Sequence, residues 1–194
     1  MSVDNAAPAS RELPNSDDQP LRVAMKKVAT ALKGANLPFA LSGGYASWAR
    51  GGPEPMHDVD FVLCADDIPH AVAVLDAAGL RVVEPPEDWL VKVYDGDSLV
   101  DLIFRPAERP VTREQLEAAD EVRVDSVLMP VQSATDLLAA KLLVLNEHYC
   151  DFGRLFPHVR ALREQVDWAT LHEVVEHNTF ARHFLALCDE LGIS

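Results

Sequence analysis

The sequence predicts an α/β (α+β) fold, in which a mixed sheet with helices packed on it is followed by a C-terminal helical bundle. Between residues 21 and 104, short apolar runs alternate with stretches of helical periodicity, an order typical of a layered α/β unit. From residue 133 onward, the apolar positions recur at helical spacing. Nearly half of the 194 residues are hydrophobic, so the chain can bury a substantial core.

The first half of the chain predicts three helices and five strands in alternation. Helices are expected over Leu21–Ala35, Tyr45–Arg50 and Ile68–Ala78. The third is capped by Asp66 or Asp67 and ends at Gly79. Strands are expected over Phe39–Leu41, Val59–Cys64, Leu80–Val83, Trp89–Tyr94 and Ser98–Phe104, with an Asp-Gly hairpin turn at Asp95–Asp97.

The second half changes character after Pro110. A helix over Thr112–Ala119 and one or two short strands over Val122–Val131 are expected. Helices then follow over Ser133–His148, Phe152–Glu164, Trp168–Glu176 and Thr179–Leu191. The predicted organisation is a disordered, polar tail over 1–20, an α/β domain over 21–130 and a helical domain over 131–194.

Charge and cysteine usage narrow the class of protein. The 31 acidic and 17 basic residues give a net charge of −14, which is a poor footprint for nucleic acid and suits a cationic ligand or a basic protein partner. Three widely spaced cysteines indicate reduced thiols and a cytoplasmic location. No segment has the apolar length of a membrane span, so no membrane association is expected.

A pair of aspartates and a glycine turn point to chemistry. Asp58 and Asp60 are spaced by one residue, so on a strand they lie on the same face. Their mutual repulsion is relieved by a hard divalent cation such as Mg²⁺, which also coordinates phosphate oxygens. Gly43 and Gly44 follow a predicted strand and offer backbone N–H groups to phosphates. Together these features predict a nucleotide–metal site.

Asp101 extends this site. It lies inside the apolar run Leu99–Phe104, where an unpartnered carboxylate costs several kcal/mol on burial. If its strand lies beside that of Asp58 and Asp60, three carboxylates converge. Such a set serves two-metal phosphoryl transfer, in which one ion holds the triphosphate and the other lowers the pKa of an attacking hydroxyl.

The pattern over residues 38–104 resembles the DNA polymerase β-like nucleotidyltransferase superfamily: a glycine pair, a thirteen-residue gap, Asp-x-Asp and a later lone aspartate. The resemblance implies a nucleotidyltransferase core with Asp58, Asp60 and Asp101 as catalytic, metal-binding carboxylates. It also implies a turn of Ser42, Gly43 and Gly44 that holds the β- and γ-phosphates. The reaction is then in-line attack on the α-phosphate of a nucleoside triphosphate, with pyrophosphate leaving.

A second resemblance concerns the C-terminal half. The segment from Asp136 to Leu145 and the following Asp151 are similar to AbiEii-type and MenT-type toxin nucleotidyltransferases, although Cys150 and Arg154 depart from their pattern. This similarity implies Lys141 and Asp151 as nucleotide-site residues. It further implies a toxin that adds nucleotides to the 3′ end of tRNA and is held in check by a cognate antitoxin.

Two other interpretations stand beside the toxin. The stretch from Asn36 to Asp58 is also similar to small aminoglycoside and lincosamide nucleotidyltransferases, whose cationic acceptors suit the acidic charge. A catalytically silent binding module on the same fold is the third. The toxin is preferred here because the Lys141–Asp151 segment is the more discriminating motif. Arg50, Arg105 and Arg109 are the best basic candidates for a tRNA or triphosphate contact.

Overall fold

The computed structural model of the protein describes residues 19–55 and 57–194. The predicted disordered tail lies outside this range over 1–18, while its last two residues begin the first helix, α1 (Gln19–Gly34). Within the described residues, none of the helices is both long and apolar enough to cross a bilayer.

Within residues 19–55 and 57–194, seven strands form one mixed sheet, which confirms the α/β fold predicted from the sequence. They are β1 (Ala40–Ser42), β2 (Val59–Val62), β3 (Arg81–Val83), β4 (Leu90–Asp95), β5 (Ser98–Ile103), β6 (Asp120–Val124) and β7 (Val127–Val131). Their order across the sheet is β3-β4-β5-β2-β1-β7-β6. β2 runs parallel to β5, and β1 runs parallel to β7, whereas the other neighbours are antiparallel.

Seven further α-helices lie in the part of the chain that the structure describes. They are α2 (Gly43–Ala49), α3 (Ile68–Ala77), α4 (Arg113–Glu117), α5 (Ala134–Leu143), α6 (Phe156–Leu162), α7 (Trp168–Val174) and α8 (Thr179–Glu190). α1 packs on the sheet and on α3, while α2 packs on β1 and β2. The short α4 begins with a capping box between Thr112 and Gln115, which satisfies backbone N–H groups at its start.

Two predicted helices are shorter than expected. The helix predicted over Ser133–His148 ends at Leu143, because the Asn178 side chain donates to the carbonyls of Leu143 and Leu145 and satisfies them beyond the helix. The helix predicted over Phe152–Glu164 is instead a short 3₁₀ turn followed by α6. Pro157 lies in the first turn of α6, the position where its missing N–H removes no helical hydrogen bond.

The buried side chains form two main hydrophobic clusters, and α5 contributes to both. Phe61 and Leu102 belong to the cluster between the sheet and its helices. Phe184 belongs to the cluster inside the C-terminal helices. Leu137 of α5 packs in the first cluster and Leu138 in the second, so α5 is held between the sheet and the helical bundle.

Candidate active site

Three carboxylates converge at neighbouring strands of the sheet. Asp60 on β2 is paired in register with Asp101 on the parallel strand β5, and Asp58 directly precedes β2. Carboxylate oxygens of the three residues lie within 4.8 Å of one another. Asp101 is buried, with 7% of its surface exposed. The alternation of side chains along β2 therefore brings Asp58 and Asp60 to Asp101, as the sequence pattern predicts.

The carboxylate cluster carries more negative charge than its surroundings neutralise. Burial, together with the charges of Asp58 and Asp101, raises the pKa of Asp60 to about 7, although Lys141 and Lys92 oppose this rise. Burial also raises the pKa of Asp101, against the opposing effect of Lys92, whose Nζ lies 3.4 Å from Asp101 Oδ1. A compact set of oxygen donors with uncompensated negative charge fits a hard divalent cation such as Mg²⁺.

The glycine turn packs directly on this cluster. Ser42 at the end of β1 pairs in register with Asp60, and Gly43 follows with φ +60° as the first residue of α2. A Cβ atom on Gly43 would lie 1.8 Å from Asp60 Oδ2, so the close approach requires glycine. Gly44 differs from Gly43, because its own Cβ would meet Pro55 instead.

A cleft of about 360 Å³ opens between the carboxylates and the C-terminal helices. Among the residues lining it are Ser42, Gly43, Asp60, Lys141, Asp151 and His158. The structure thus places five of the sequence-predicted site residues along one space, with Asp58 and Asp101 joined to it through Asp60. Gly44 is not among the lining residues.

Lys141 and Asp151 occupy different environments within this cleft. Burial lowers the pKa of Lys141, but the nearby charges of Asp60 and Asp58 oppose that effect, so the ammonium lies within electrostatic reach of the carboxylates. The Asp151 side chain is 62% exposed, and its carboxylate forms an ion pair with Arg154 Nε at a distance of 3.2 Å. Lys141 is therefore part of the inner site, whereas Asp151 lies at its rim.

Sequence reasoning missed two groups at the site. His158 of α6 lines the cleft, and its Nδ1 lies 2.7 Å from the hydroxyl of buried Ser47. Burial and the charge of Lys141 lower the pKa of His158 to about 4, so its ring is neutral at neutral pH. The contact joins residues 111 positions apart, and no local pattern signals it.

Lys92 is the second missed residue, although the hairpin register implied by the sequence indicates its position. The hairpin turn pairs Asp95 with Ser98, and counting back along both strands sets Lys92 opposite Asp101. A buried carboxylate with a lysine at its cross-strand position is a favourable pair, and the predicted Asp-Gly turn already implied this register.

The three arginines predicted to contact tRNA or triphosphate each make an interaction within the protein. Arg50 is paired with Asp120 at 2.7 Å and donates to the carbonyls of Gln132 and Val131. Arg105 is paired with Asp88 at 2.6 Å. Arg109 donates to a backbone carbonyl of α7 at 3.5 Å. The sequence could not reveal these pairings because each depends on chain segments brought together by folding.

No protein-family model matches the sequence, and no curated protein matches it. Solved structures do resemble its fold. The crystal structure of ANT(2″)-Ia in complex with adenylyl-2″-tobramycin superposes on this chain with a TM-score of 0.58. The two sequences are 17% identical, and the match covers 85% of this chain and 97% of that chain. The antibiotic-resistance factor ANT(2″)-Ia in solution gives a TM-score of 0.58 and 20% identity over 91% and 100% of the two chains.

A nucleotidyltransferase-like protein from Paracoccidioides brasiliensis superposes with a TM-score of 0.52 and 18% identity, over 92% of this chain and 91% of that chain. These likenesses cover between 85% and 92% of this chain. At such identities the likeness concerns the backbone fold, and the chain has the nucleotidyltransferase fold.

Proposed function

We propose that the protein is a Mg²⁺-dependent nucleotidyltransferase that transfers a nucleoside monophosphate from a nucleoside triphosphate to an acceptor hydroxyl. The observation that carries the proposal is the convergence of Asp58, Asp60 and Asp101 beside the glycine turn. The carboxylate geometry, the close approach of Gly43 and the cleft that continues to Lys141 support the same chemistry.

The carboxylates, the glycine turn and Lys141 each have a role in this reaction. Asp58, Asp60 and Asp101 would hold Mg²⁺, which when bound neutralises phosphate charge and lowers the pKa of an attacking hydroxyl. Gly43 permits close approach of backbone to the triphosphate, and the Lys141 ammonium adds a positive charge from the helical side.

The transfer itself is balanced in atoms and charge. The acceptor oxygen bonds to the α-phosphorus, and the bond from that phosphorus to the bridging oxygen of the β-phosphate breaks. Pyrophosphate leaves with the electron pair of the broken bond, and the hydroxyl proton passes to a carboxylate of the cluster. The raised pKa of Asp60, about 7 in the metal-free protein, reflects how strongly this environment favours a proton or a cation.

We infer a small cationic acceptor as the substrate class. The net charge of −14 opposes binding to a polyanion such as tRNA and attracts a cation. Two of the arginines predicted to contact tRNA, Arg50 and Arg105, already form ion pairs with Asp120 and Asp88. Both observations favour the antibiotic-type acceptor over tRNA.

The tRNA-directed toxin remains the second candidate. It is supported by the resemblance of the segment from Asp136 to Leu145, and by the presence of Lys141 and Asp151 along the cleft. This candidate requires a cognate antitoxin, and growth inhibition by the free protein is its expected signature.

One assay separates these candidates. The protein is incubated with Mg²⁺, each of four labelled nucleoside triphosphates, and tobramycin, lincomycin or total tRNA, and both pyrophosphate and labelled acceptor are measured. Label on an antibiotic supports the proposal, whereas label on tRNA alone replaces the small acceptor with the toxin. Absence of transfer to every acceptor overturns nucleotidyl transfer.

The Asp58→Asn variant is the control for chemistry. It removes one carboxylate charge and should abolish transfer. A biological effect that persists in this variant would instead support a catalytically silent binding module.

A further inference from the structure

Lys92 lies beside the third carboxylate of the cluster. β4 and β5 form an antiparallel pair in which Lys92 is the cross-strand partner of Asp101. Directly opposed residues of such a pair lie on the same face of the sheet, so the two side chains meet. The distance from Lys92 Nζ to Asp101 Oδ1 is 3.4 Å. A cation of the protein itself therefore lies against a carboxylate that we propose to bind Mg²⁺.

The ion pair between Lys92 and Asp101 is loose on the lysine side. The Lys92 side chain is 28% exposed, whereas the Asp101 side chain is 10% exposed. The separation of 3.4 Å is long for a charge-assisted hydrogen bond, which usually spans about 2.7–2.9 Å, and a partly exposed pair of this kind contributes little to stability. Among residues 19–55 and 57–194, Asp101 is the one ion-pair partner of Lys92. The ammonium can therefore leave Asp101 at a small cost in free energy.

Two lysines act on different carboxylates of the cluster. The charges of Asp60 and Asp58 act on Lys141, which lies on the helical side of the cleft. Lys92 acts on Asp60 and Asp101, where it opposes the rise in pKa that burial causes. Within the part of the chain that the structure describes, Lys92 is the one cation that opposes the raised pKa of Asp101. The charge of Asp101 is thus compensated by Lys92 rather than by Lys141.

A divalent cation and the Lys92 ammonium cannot both bind Asp101 without repelling each other. A metal ion held by this carboxylate would lie within a few ångströms of the ammonium, a separation at which two positive charges interact strongly. Carboxylate oxygens of Asp58, Asp60 and Asp101 lie within 4.8 Å of one another, so they act as one ligand set. Repulsion by Lys92 therefore lowers the affinity of the whole set for the ion.

We propose that Lys92 is an internal competitor of the divalent cation, whose ammonium holds Asp101 in the metal-free protein and keeps the affinity of the carboxylate cluster for Mg²⁺ low. Lys92 is a positioning residue in this role, because it acts through Asp101. Transfer then requires a higher Mg²⁺ concentration than the three carboxylates alone would demand. The inference rests on the metal site of the proposed function and adds the residue that sets its affinity.

Mn²⁺ alone is the probe, because it takes the same oxygen ligands as Mg²⁺ and its free form is measured by electron paramagnetic resonance. The full-length protein is titrated without nucleotide at pH 8, above the pKa of Asp60. Lys92→Met removes the charge and keeps an unbranched side chain, whereas Lys92→Arg keeps the charge. Lys27→Met is the matched control, since Lys27 of α1 forms an ion pair with Asp95 at 2.9 Å, outside the carboxylate cluster.

Lys92→Met should tighten the Kd for Mn²⁺ by about tenfold, because a positive charge beside the ion is removed. Lys92→Arg and Lys27→Met should match the wild type. A purely structural role of Lys92 would not produce this gain, since damage to the site weakens metal binding. The Mg²⁺ concentration that gives half-maximal transfer should fall by a similar factor in Lys92→Met. Thermal melts verify that the variants are folded.

The Asp101→Asn background tests whether Asp101 is the object of the competition. Lys92→Met should change the Mn²⁺ Kd by less in this background, because the carboxylate for which the two cations compete is gone. Equal tightening in both backgrounds overturns the competition for Asp101. Unchanged or weaker binding in Lys92→Met overturns the inference, as does equal tightening in Lys27→Met.

These outcomes are separable from those of the proposed function. Tighter Mn²⁺ binding in Lys92→Met without transfer to any acceptor supports the role of Lys92 and counts against the proposed reaction. Transfer by a protein whose Mn²⁺ Kd does not respond to Lys92→Met overturns the role of Lys92 and leaves nucleotidyl transfer standing. Absence of Mn²⁺ binding in both the wild type and Lys92→Met, together with absence of transfer, overturns both.

Discussion

The two walls of the active-site cleft are built in different ways. On the sheet wall, Ser42, Asp60, Asp101 and Lys92 occupy mutually paired positions across β1, β2, β5 and β4, so backbone hydrogen bonds fix their spacing. On the helical wall, Lys141 and His158 come from separate helices and are placed by side-chain packing. Register therefore fixes the groups proposed for the chemistry, whereas tertiary packing positions His158 and Lys141, of which we propose that Lys141 contacts the nucleotide.

Substitutions on the two walls should therefore affect different kinetic parameters. We expect changes on the sheet wall to reduce kcat and changes on the helical wall to act mainly on nucleotide binding.

The largest effect is expected for Asp60→Asn. Loss of a metal-binding carboxylate should lower kcat/KM by at least about 100-fold. This decrease is larger than the one expected on loss of a residue that only hydrogen-bonds to a metal ligand. The same variant should be more stable without metal, because it removes a buried charge crowded by Asp58 and Asp101. Transfer rates and thermal melts measure the two effects, with the exposed hairpin variant Asp97→Asn as control. Full activity in Asp60→Asn would contradict the proposed role of the sheet wall.

Gly43→Ala should follow in magnitude. The new Cβ would displace Asp60, and φ +60° adds a backbone cost of about 1–2 kcal/mol. Gly192→Ala is the matched control, since its φ is +64° and no atom lies within 4 Å of its Cβ. Both variants should be destabilised by a similar backbone cost, but only Gly43→Ala should lose most of its activity. Equal activity in the two would show that the contact with Asp60 is unimportant.

Lys141→Gln tests the helical wall. Removing this ammonium should raise the KM for the nucleoside triphosphate by about tenfold and change kcat less, because a charge-assisted contact to phosphate is lost. Lys33→Gln, on α1 away from the cleft, provides the control. If Lys141→Gln lowered kcat as much as Asp60→Asn and left KM unaltered, the two walls would not differ in their kinetic roles.

The pH dependence of stability should report the charge of the sheet wall. The pKa of Asp60 is about 7 in the folded metal-free protein against an ordinary value of 3.8, so the folded state binds the proton more tightly. This contribution is fully present below pH 4 and is lost as the pH rises through 7. The relevant comparison is between pH 6 and pH 8, because these values bracket the pKa of Asp60.

Between these two values, the Tm without metal should fall by several degrees and Mg²⁺ should restore it. Differential scanning calorimetry of the wild type and Asp60→Asn checks this, and the variant should show the smaller fall. An identical fall in both proteins would assign the pH dependence to other groups.

The smallest effect concerns the contact between the two walls. A double-mutant cycle of Ser47→Ala and His158→Ala should give a coupling free energy of about 1 kcal/mol in denaturant unfolding, typical of a buried hydrogen bond. We expect the single variants to raise the KM for the nucleotide as well, since Ser47 lies on the helix that begins at Gly43. A coupling energy near zero would mean that the His158 contact does not hold α6 against α2.

Much of the sheet wall could be predicted without a structure. Alternation along a strand set Asp58 and Asp60 on one face, and the apolar run around Asp101 indicated a carboxylate that needs a partner. The Asp-Gly turn fixes the hairpin register, and this register places Lys92 opposite Asp101. These signals depend on residues that are close together in the chain, so they can be recognised in the sequence.

The C-terminal helices were predicted less well at their ends. The helix periodicity of the segment from residue 134 was correct, but its end at Leu143 depends on Asn178, which lies 35 residues away from Leu143 in the chain. Arg50, interpreted as a ligand contact, likewise pairs with Asp120, which lies 70 residues away in the chain.

The sequence by itself determined the alternating α/β architecture, the carboxylate pair and the glycine turn, because strand alternation and turn chemistry act over a few residues. Only the tertiary structure decided that Asp101 lies beside Asp60 and that His158 reaches Ser47. These arrangements depend on which distant segments bury their apolar faces together. The free energy of that packing depends on residues throughout the chain, so no short stretch of sequence determines it.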